Sequence, residues 1–153
     1  MSGNPKKLSK GASLDPDHHI IKYVRPTQIE EGVINGEAFL ARSSDGGAVS
    51  YNWIEYYTGT IEEQINCIKK CARLEYAATG KLAKLNIKKS LAAIKDMISD
   101  CDVNYDPLDP LGDHPEDPSH ALMTNIPKND SPWAETLGDK IRDTMIETYA
   151  ARG

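Results

Sequence analysis

The sequence predicts an α+β domain: a small mixed or antiparallel sheet of about four to five strands packed with about three helices. Three observations predict it. Short β-forming runs alternate along the chain with segments of helical periodicity. Two of the helical segments open on recognisable caps, Thr60-Ile-Glu-Glu63 and Ser131-Pro132. The 153 residues suffice for one hydrophobic core without a disulfide or metal staple.

The N-terminal residues carry Lys6, Lys7 and Lys10 with no apolar stretch after them. Residues 1–16 therefore read as a flexible arm rather than a secretory signal, and 17–153 as a single domain. Residues 19–24 form the first strand. Ile20, Ile21, Tyr23 and Val24 are β-formers, Pro26 ends the run, and apolar residues on both faces place it centrally in the sheet. Residues 26–36 read as turn. Residues 37–42 (EAFLAR) are a short strand, and 43–47 (SSDGG) a turn whose Asp-Gly tolerates positive φ. In 48–54, Val49, Tyr51 and Trp53 share one face while Ser50 and Asn52 share the other. These three pieces together predict a β-hairpin.

Thr60 opens a helix with Ile61, Ile65, Ile68, Cys71 and Ala72 on one stripe and Gly80 as its stop. Residues 81–87 (KLAKLNI) alternate as a strand. A second helix over 89–99 buries Leu91, Ile94, Met97 and Ile98. From Asp96 to Asp117 the chain holds eight acidic residues and no Lys or Arg, with prolines at 107, 110 and 115. This predicts an acidic, proline-rich loop at about 100–118. Residues 119–126 (SHALMTNI) are a strand, and the last helix starts at Ser131-Pro132 with Leu137, Ile141 and Met145 facing in.

The net charge of −5 and pI of about 5.3 argue against a nucleic-acid coat. Three cysteines, Cys67, Cys71 and Cys101, with no CxxC pair, read as reduced thiols of a cytoplasmic protein. No apolar run is long enough to span a bilayer. No metal site is predicted: Cys71 of the i, i+4 pair with Cys67 lies on the apolar stripe, and the calcium-loop-like Asp102, Asn104 and Asp106 are followed by Pro107 where a glycine is needed. No cofactor motif is present either, since Gly-rich phosphate loops and GxSxG elbows are absent.

The segments DHHIIKYVRP, GEAFLAR, VSYNWIEYY, GKLAKLNI and DPSHALMTNIP, in this order, resemble a family of small bacterial proteins of uncharacterised function. His19, Phe39, Ser50, Asn52, Trp53, Asp117, Pro118, Ser119, His120 and Ala121 carry the resemblance, which extends over roughly residues 17–145. It implies a bacterial source and the domain limits, but no activity.

The leading expectation is an accessory or protein-interaction protein without its own catalysis, with a protein partner or self-association. Arg25, Asn52, Trp53, Tyr56, Tyr57 and Ser119 are its candidate binding residues, because Tyr, Trp and Arg dominate interaction hot spots. The alternative is an enzyme acting on a nucleotide or nucleic acid, with His19, Ser50 and His120 around one pocket. Strand alternation sends the side chains of Ser119 and His120 to opposite faces, so those two do not form a dyad. In that alternative the enzyme is a hydrolase or ADP-ribosyltransferase-like. A strand bearing His, a hairpin ending in Ser50-Tyr51, a helix and a strand are similar to the N-terminal half of the latter family, whose late glutamate has no matching motif here.

Overall fold

The computed structural model describes residues 8–42 and 47–152. In chain order the elements are β1 (His19–Val24), the small hairpin β2 (Ile29–Glu30) and β3 (Val33–Ile34), β4 (Val49–Trp53), α1 (Ile61–Cys71), β5 (Lys81–Asn86), α2 (Ile87–Ile94), β6 (Val103–Tyr105), β7 (His120–Met123), α3 (Pro132–Arg142) and β8 (Glu147–Ala150). Six strands form one sheet in the order β6-β7-β4-β1-β5-β8, antiparallel throughout, while β2 and β3 pair only with each other. The fold is therefore α+β, with three α-helices among the described residues, and the sheet is larger than the four to five strands expected. The additional strands, β6 and β8, are only three and four residues long and too short to announce themselves by periodicity.

Alternation along the strands sorts the two faces. Ile20 and Val24 of β1, Val49, Tyr51 and Trp53 of β4, Ala83 and Leu85 of β5, and Ala121 and Met123 of β7 form one face. It packs against Ile87 and Ile94 of α2 and Ala134, Leu137 and Ile141 of α3. On the other face Ile21 and Leu82 meet Ile65 and Ile68 of α1. β1 sits in the middle of the sheet with apolar side chains on both faces, as its sequence requires. Among the described residues no helix is long and apolar enough to cross a membrane.

The Thr60–Glu63 capping box opens α1: Glu63 N donates to Thr60 Oγ1 at 3.2 Å and Thr60 N to Glu63 Oε1 at 3.0 Å. The helix stops at Cys71, well before Gly80. Residues 72–80 instead run back over the sheet, held by Ala77 N donating to Tyr23 Oη at 2.8 Å. α2 begins directly at the end of β5, where Asn86 Oδ1 accepts from Lys89 N. Ser131 caps α3 by accepting from Ala134 N at 3.1 Å, with Pro132 at the first helical position.

The expected hairpin of residues 37–42 with 48–54 does not form. Residues Gly36–Phe39 make a 3-10 turn, and β4 pairs with β1 and β7 instead. The cause is a long-range contact: Ala38 and Phe39 are buried, and Gly36 lies directly against Gly138 of α3. The turn expected at 43–47 has residues 43–46 outside the described residues.

The N-terminal segment is docked rather than free from Leu8 onward. Gly11 N donates to Tyr105 O at 2.7 Å, Tyr105 N to Ala12 O at 2.8 Å and Leu14 N to Val103 O at 3.0 Å. These bonds cover the outer edge of β6, whose backbone groups would otherwise lack partners. Residues 1–7 of the expected arm lie outside the described residues.

The acidic stretch is not an open loop. After β6 the chain continues as an irregular hairpin through the bridges Leu108↔Asp117 and Leu111↔His114. Gly112, at φ 59°, takes the first central position of its two-residue tip. This hairpin delivers the chain into β7.

Candidate functional site

Strand register places four polar or charged side chains and one apolar one in a single row across the sheet. Asn52 lies opposite His120, Ile21 opposite both Asn52 and Lys84, and Asp106 N donates to His120 O at 2.9 Å just beyond the β6–β7 ladder. The row is on the face away from α2 and α3. Ser50 is two residues along β4 on the same face.

The centre of the row is a buried polar cluster. Asn52 Nδ2 donates to Asp117 Oδ1 at 2.9 Å and to Ser119 Oγ at 3.0 Å. Ser119 is 0% exposed, Asp117 2%, and Asn52 and His120 8% each. The alternation expected between Ser119 and His120 fails because Ser119 lies in the turn before β7, not in the strand. Its hydroxyl therefore reaches the same face as the His120 ring, while its carbonyl accepts from Trp53 N at 2.8 Å.

His120 is held by Asp106. Its Nδ1 lies 2.9 Å from the Asp106 carbonyl oxygen and 3.1 Å from Asp106 Oδ2. Lys10 Nζ approaches the other carboxylate oxygen at 3.6 Å. Asp117 sits on the opposite flank. Burial raises its carboxyl above the ordinary 3.8, against the opposing pull of the His120 charge, the Asn52 hydrogen bond and Arg73.

That shift has a measurable sign. A carboxyl whose folded pKa exceeds its unfolded one contributes stability fully below the unfolded value and loses it as pH rises through the folded value. Asp117→Asn removes this dependence. Urea unfolding of both proteins from pH 3 to 7 is expected to move the stability difference in favour of the variant as pH rises. A flat difference, or one of the reverse slope, would contradict the burial of an ionisable Asp117.

Beside this cluster lies a cleft of about 740 Å³, lined from both faces of β4, by Ser50 and Asn52 on one and Val49 and Tyr51 on the other. Ser50, Asn52 and His120 line its floor, Arg25 follows β1 into one wall, and Arg73, Leu74 and Leu108 line another. Arg73 ties the segment after α1 to the acidic hairpin by donating from Nη2 to the Asp109 carbonyl. Its Nε is buried and has no hydrogen-bond partner among the described residues. The described residues lining the cleft include five cations, Lys22, Arg25, Arg42, Arg73 and Lys128, against three carboxylates, Glu37, Glu75 and Asp117. The balance is cationic in a chain whose net charge is −5.

His19 is placed elsewhere. Strand β4 separates β1 from β7, an offset of two strand spacings or roughly 10 Å. The His19 ring pairs with Glu55, Nδ1 to Oε2 at 2.5 Å, and its backbone N–H donates to the same carboxylate at 2.8 Å. It lines a separate cavity of about 430 Å³ with Asp17, Asn86, Lys88 and Lys89. Of the three residues expected around one pocket, Ser50 and His120 thus share the cleft and His19 does not.

Of the candidate binding aromatics Trp53 is internal, while Tyr56 and Tyr57 are half-buried. Trp53 is 1% exposed, and its Nε1 donates to His18 Nδ1 at 3.1 Å. Tyr56 meets Trp53 and Tyr57 edge-on and stacks on Tyr105, and Tyr57 Oη donates to Cys71 Sγ at 3.8 Å. Among the described residues no group of three or more His, Cys, Asp or Glu side chains is arranged to hold a metal ion. Burial and the adjacent Asp102 and Asp100 push the Cys101 thiol up to about 12, so it is not a nucleophile at neutral pH.

Asp106 and Arg73 belong to the site although the sequence reading did not select them. Asp106 stands in the acidic stretch, and only the strand register brings it into contact with His120. Arg73 lies just after α1 with no motif around it. Comparison with protein-family models, curated proteins and solved structures finds no match for this chain.

Proposed function

We propose that the protein binds a small anionic ligand, such as a phosphate ester, in the cleft lined by β1, β4 and the segment after α1. The observation that carries this reading is the lining of the cleft: Arg25 and Arg73 are among five cations that face three carboxylates, in a chain of net charge −5. Arginine's planar fork suits phosphate and carboxylate oxygens in particular. The cationic excess of the lining attracts an anion. The volume lies within the range of small-molecule sites, roughly 300–1,000 Å³.

The inward packing of Trp53 and the mutual packing of Tyr56 and Tyr57 support a small ligand over a protein partner.

Calorimetric titration with phenyl phosphate tests the reading. Arg73→Ala is expected to weaken binding by roughly 10- to 150-fold, the loss of a charge-assisted hydrogen bond worth about 1.5–3 kcal/mol. Lys88→Ala, in the separate cavity, is expected to leave binding unchanged. Equal losses in both variants, or no binding by the parent protein, would refute the assignment to this cleft.

A further inference from the structure

Binding an anion does not require the Asp106–His120 pair. We propose that the cleft also hydrolyses a phosphodiester of nucleotide size, with His120 as general base; this rests on the anion-binding reading above. Nδ1 of His120 faces two acceptors, the Asp106 carbonyl and the Asp106 carboxylate. A carbonyl can only accept, so Nδ1 carries the proton, and in the neutral ring Nε2 holds the lone pair. Asp106 is the positioning residue that fixes this tautomer. The ring is 8% exposed and lines the cleft, so its basic nitrogen works in a largely water-excluded setting.

Ser50 is exposed on the floor of the same cleft, diagonal to His120 across the β4–β7 pair. The backbones of diagonal neighbours lie about 7–8 Å apart, and the two side chains reach into the space between them, where a water can sit. Ser50 positions that water. Arg73 and Arg25 hold the non-bridging phosphate oxygens. Nε2 takes a proton from the water as its oxygen bonds to phosphorus. The bond from phosphorus to the leaving oxygen breaks with its electron pair on that oxygen. The imidazolium then returns the proton to the leaving alkoxide. The products are an alcohol and a phosphomonoester. A diester is the favoured class because Asp106 and Asp117 flank His120, and a monoester dianion would be repelled more strongly than a monoanion.

The test uses bis(p-nitrophenyl) phosphate, with release of p-nitrophenolate as the readout, alongside calorimetric binding of phenyl phosphate. The parent protein is expected to turn the diester over. His120→Ala is expected to lose roughly 10²–10⁴-fold in kcat while still binding phenyl phosphate, and to recover activity when free imidazole is added. A purely structural His120 would not respond to imidazole. If His120→Ala does not fold by circular dichroism, His120→Asn, whose amide can still donate to the Asp106 carbonyl, carries the test: a fall in kcat with phenyl phosphate binding retained supports the proposal, and an unchanged kcat overturns it. Binding without turnover by the parent protein overturns the hydrolysis and leaves the recognition reading standing. Absence of both overturns both. Full activity in a folded His120→Ala overturns the role of His120.

Discussion

Trp53→Ala is expected to lower the unfolding free energy by roughly 3–5 kcal/mol, the usual cost of deleting a fully buried tryptophan. The side chain is 1% exposed and is the largest of the fully buried ones. Its ring meets His18 at 5.7 Å, Tyr105 at 5.7 Å and Tyr56 at 6.1 Å between centroids. The truncation therefore opens a cavity where β1, β4 and β6 converge. It also leaves His18 Nδ1 without its indole donor. Domains are typically stable by about 5–15 kcal/mol, so the variant would approach the unfolding threshold. Trp53→Phe keeps most of the volume and is expected to lose much less. Urea unfolding followed by far-ultraviolet circular dichroism measures both. Tryptophan fluorescence is the wrong probe, because the remaining Trp133 is 47% exposed. A loss below about 1 kcal/mol for the alanine variant would contradict the packing around Trp53.

Gly36→Ala is expected to cost roughly 2–3 kcal/mol by overpacking. A Cβ there would stand 2.7 Å from the Asp139 backbone nitrogen and 2.8 Å from the Gly138 carbonyl carbon. Both are backbone atoms of α3, so no side chain can swing aside to make room. The turn and the helix would have to part, and Ala38 and Phe39 would lose contact with the core. Glu37 and Ala38 also line the cleft, so ligand binding should weaken along with stability. The same unfolding titration reads the stability, and phenyl phosphate calorimetry reads the binding. An unaffected Gly36→Ala would mean that the turn is not seated against α3.

This glycine pair also explains where the sequence misleads. EAFLAR has β-formers and an Asp-Gly turn after it, which is all a local reading can use. The contact between Gly36 and Gly138 joins positions about a hundred residues apart and overrides that propensity. β1, β4 and β7 were legible because burial on one or both faces writes a period of two into them. α1 was legible from its cap but not at its end, where the chain leaves the helix to carry Arg73 and Tyr76 across the sheet. The docked residues 8–14 carry too little apolar character to look ordered; they are fixed by the edge of β6, not by their own composition.

The site divides in the same way. Ser50, Asn52, Asp117, Ser119 and His120 stood out as polar residues within or beside strand patterns. Which of them meet depends on register and on one irregularity. Ser119 turns inward because it precedes β7 rather than belonging to it. His19 and His120 looked like a pair from opposite ends of the chain, but β4 lies between their strands. Arg73 and Asp106 acquire meaning only when the acidic stretch folds back as a hairpin, bringing Asp109 to Arg73 and Asp106 to His120.

The central claim is that the anion site lies in the cleft lined by β4, Arg73 and His120. Titration of isotope-labelled protein with phenyl phosphate, followed by amide and histidine side-chain chemical shifts, tests it most directly. The predicted result is a saturable set of shifts at Ser50, Asn52, Arg73 and His120 with Lys88 and Lys89 unmoved. Shifts centred on His19, Lys88 and Lys89, or none that saturate, would contradict it.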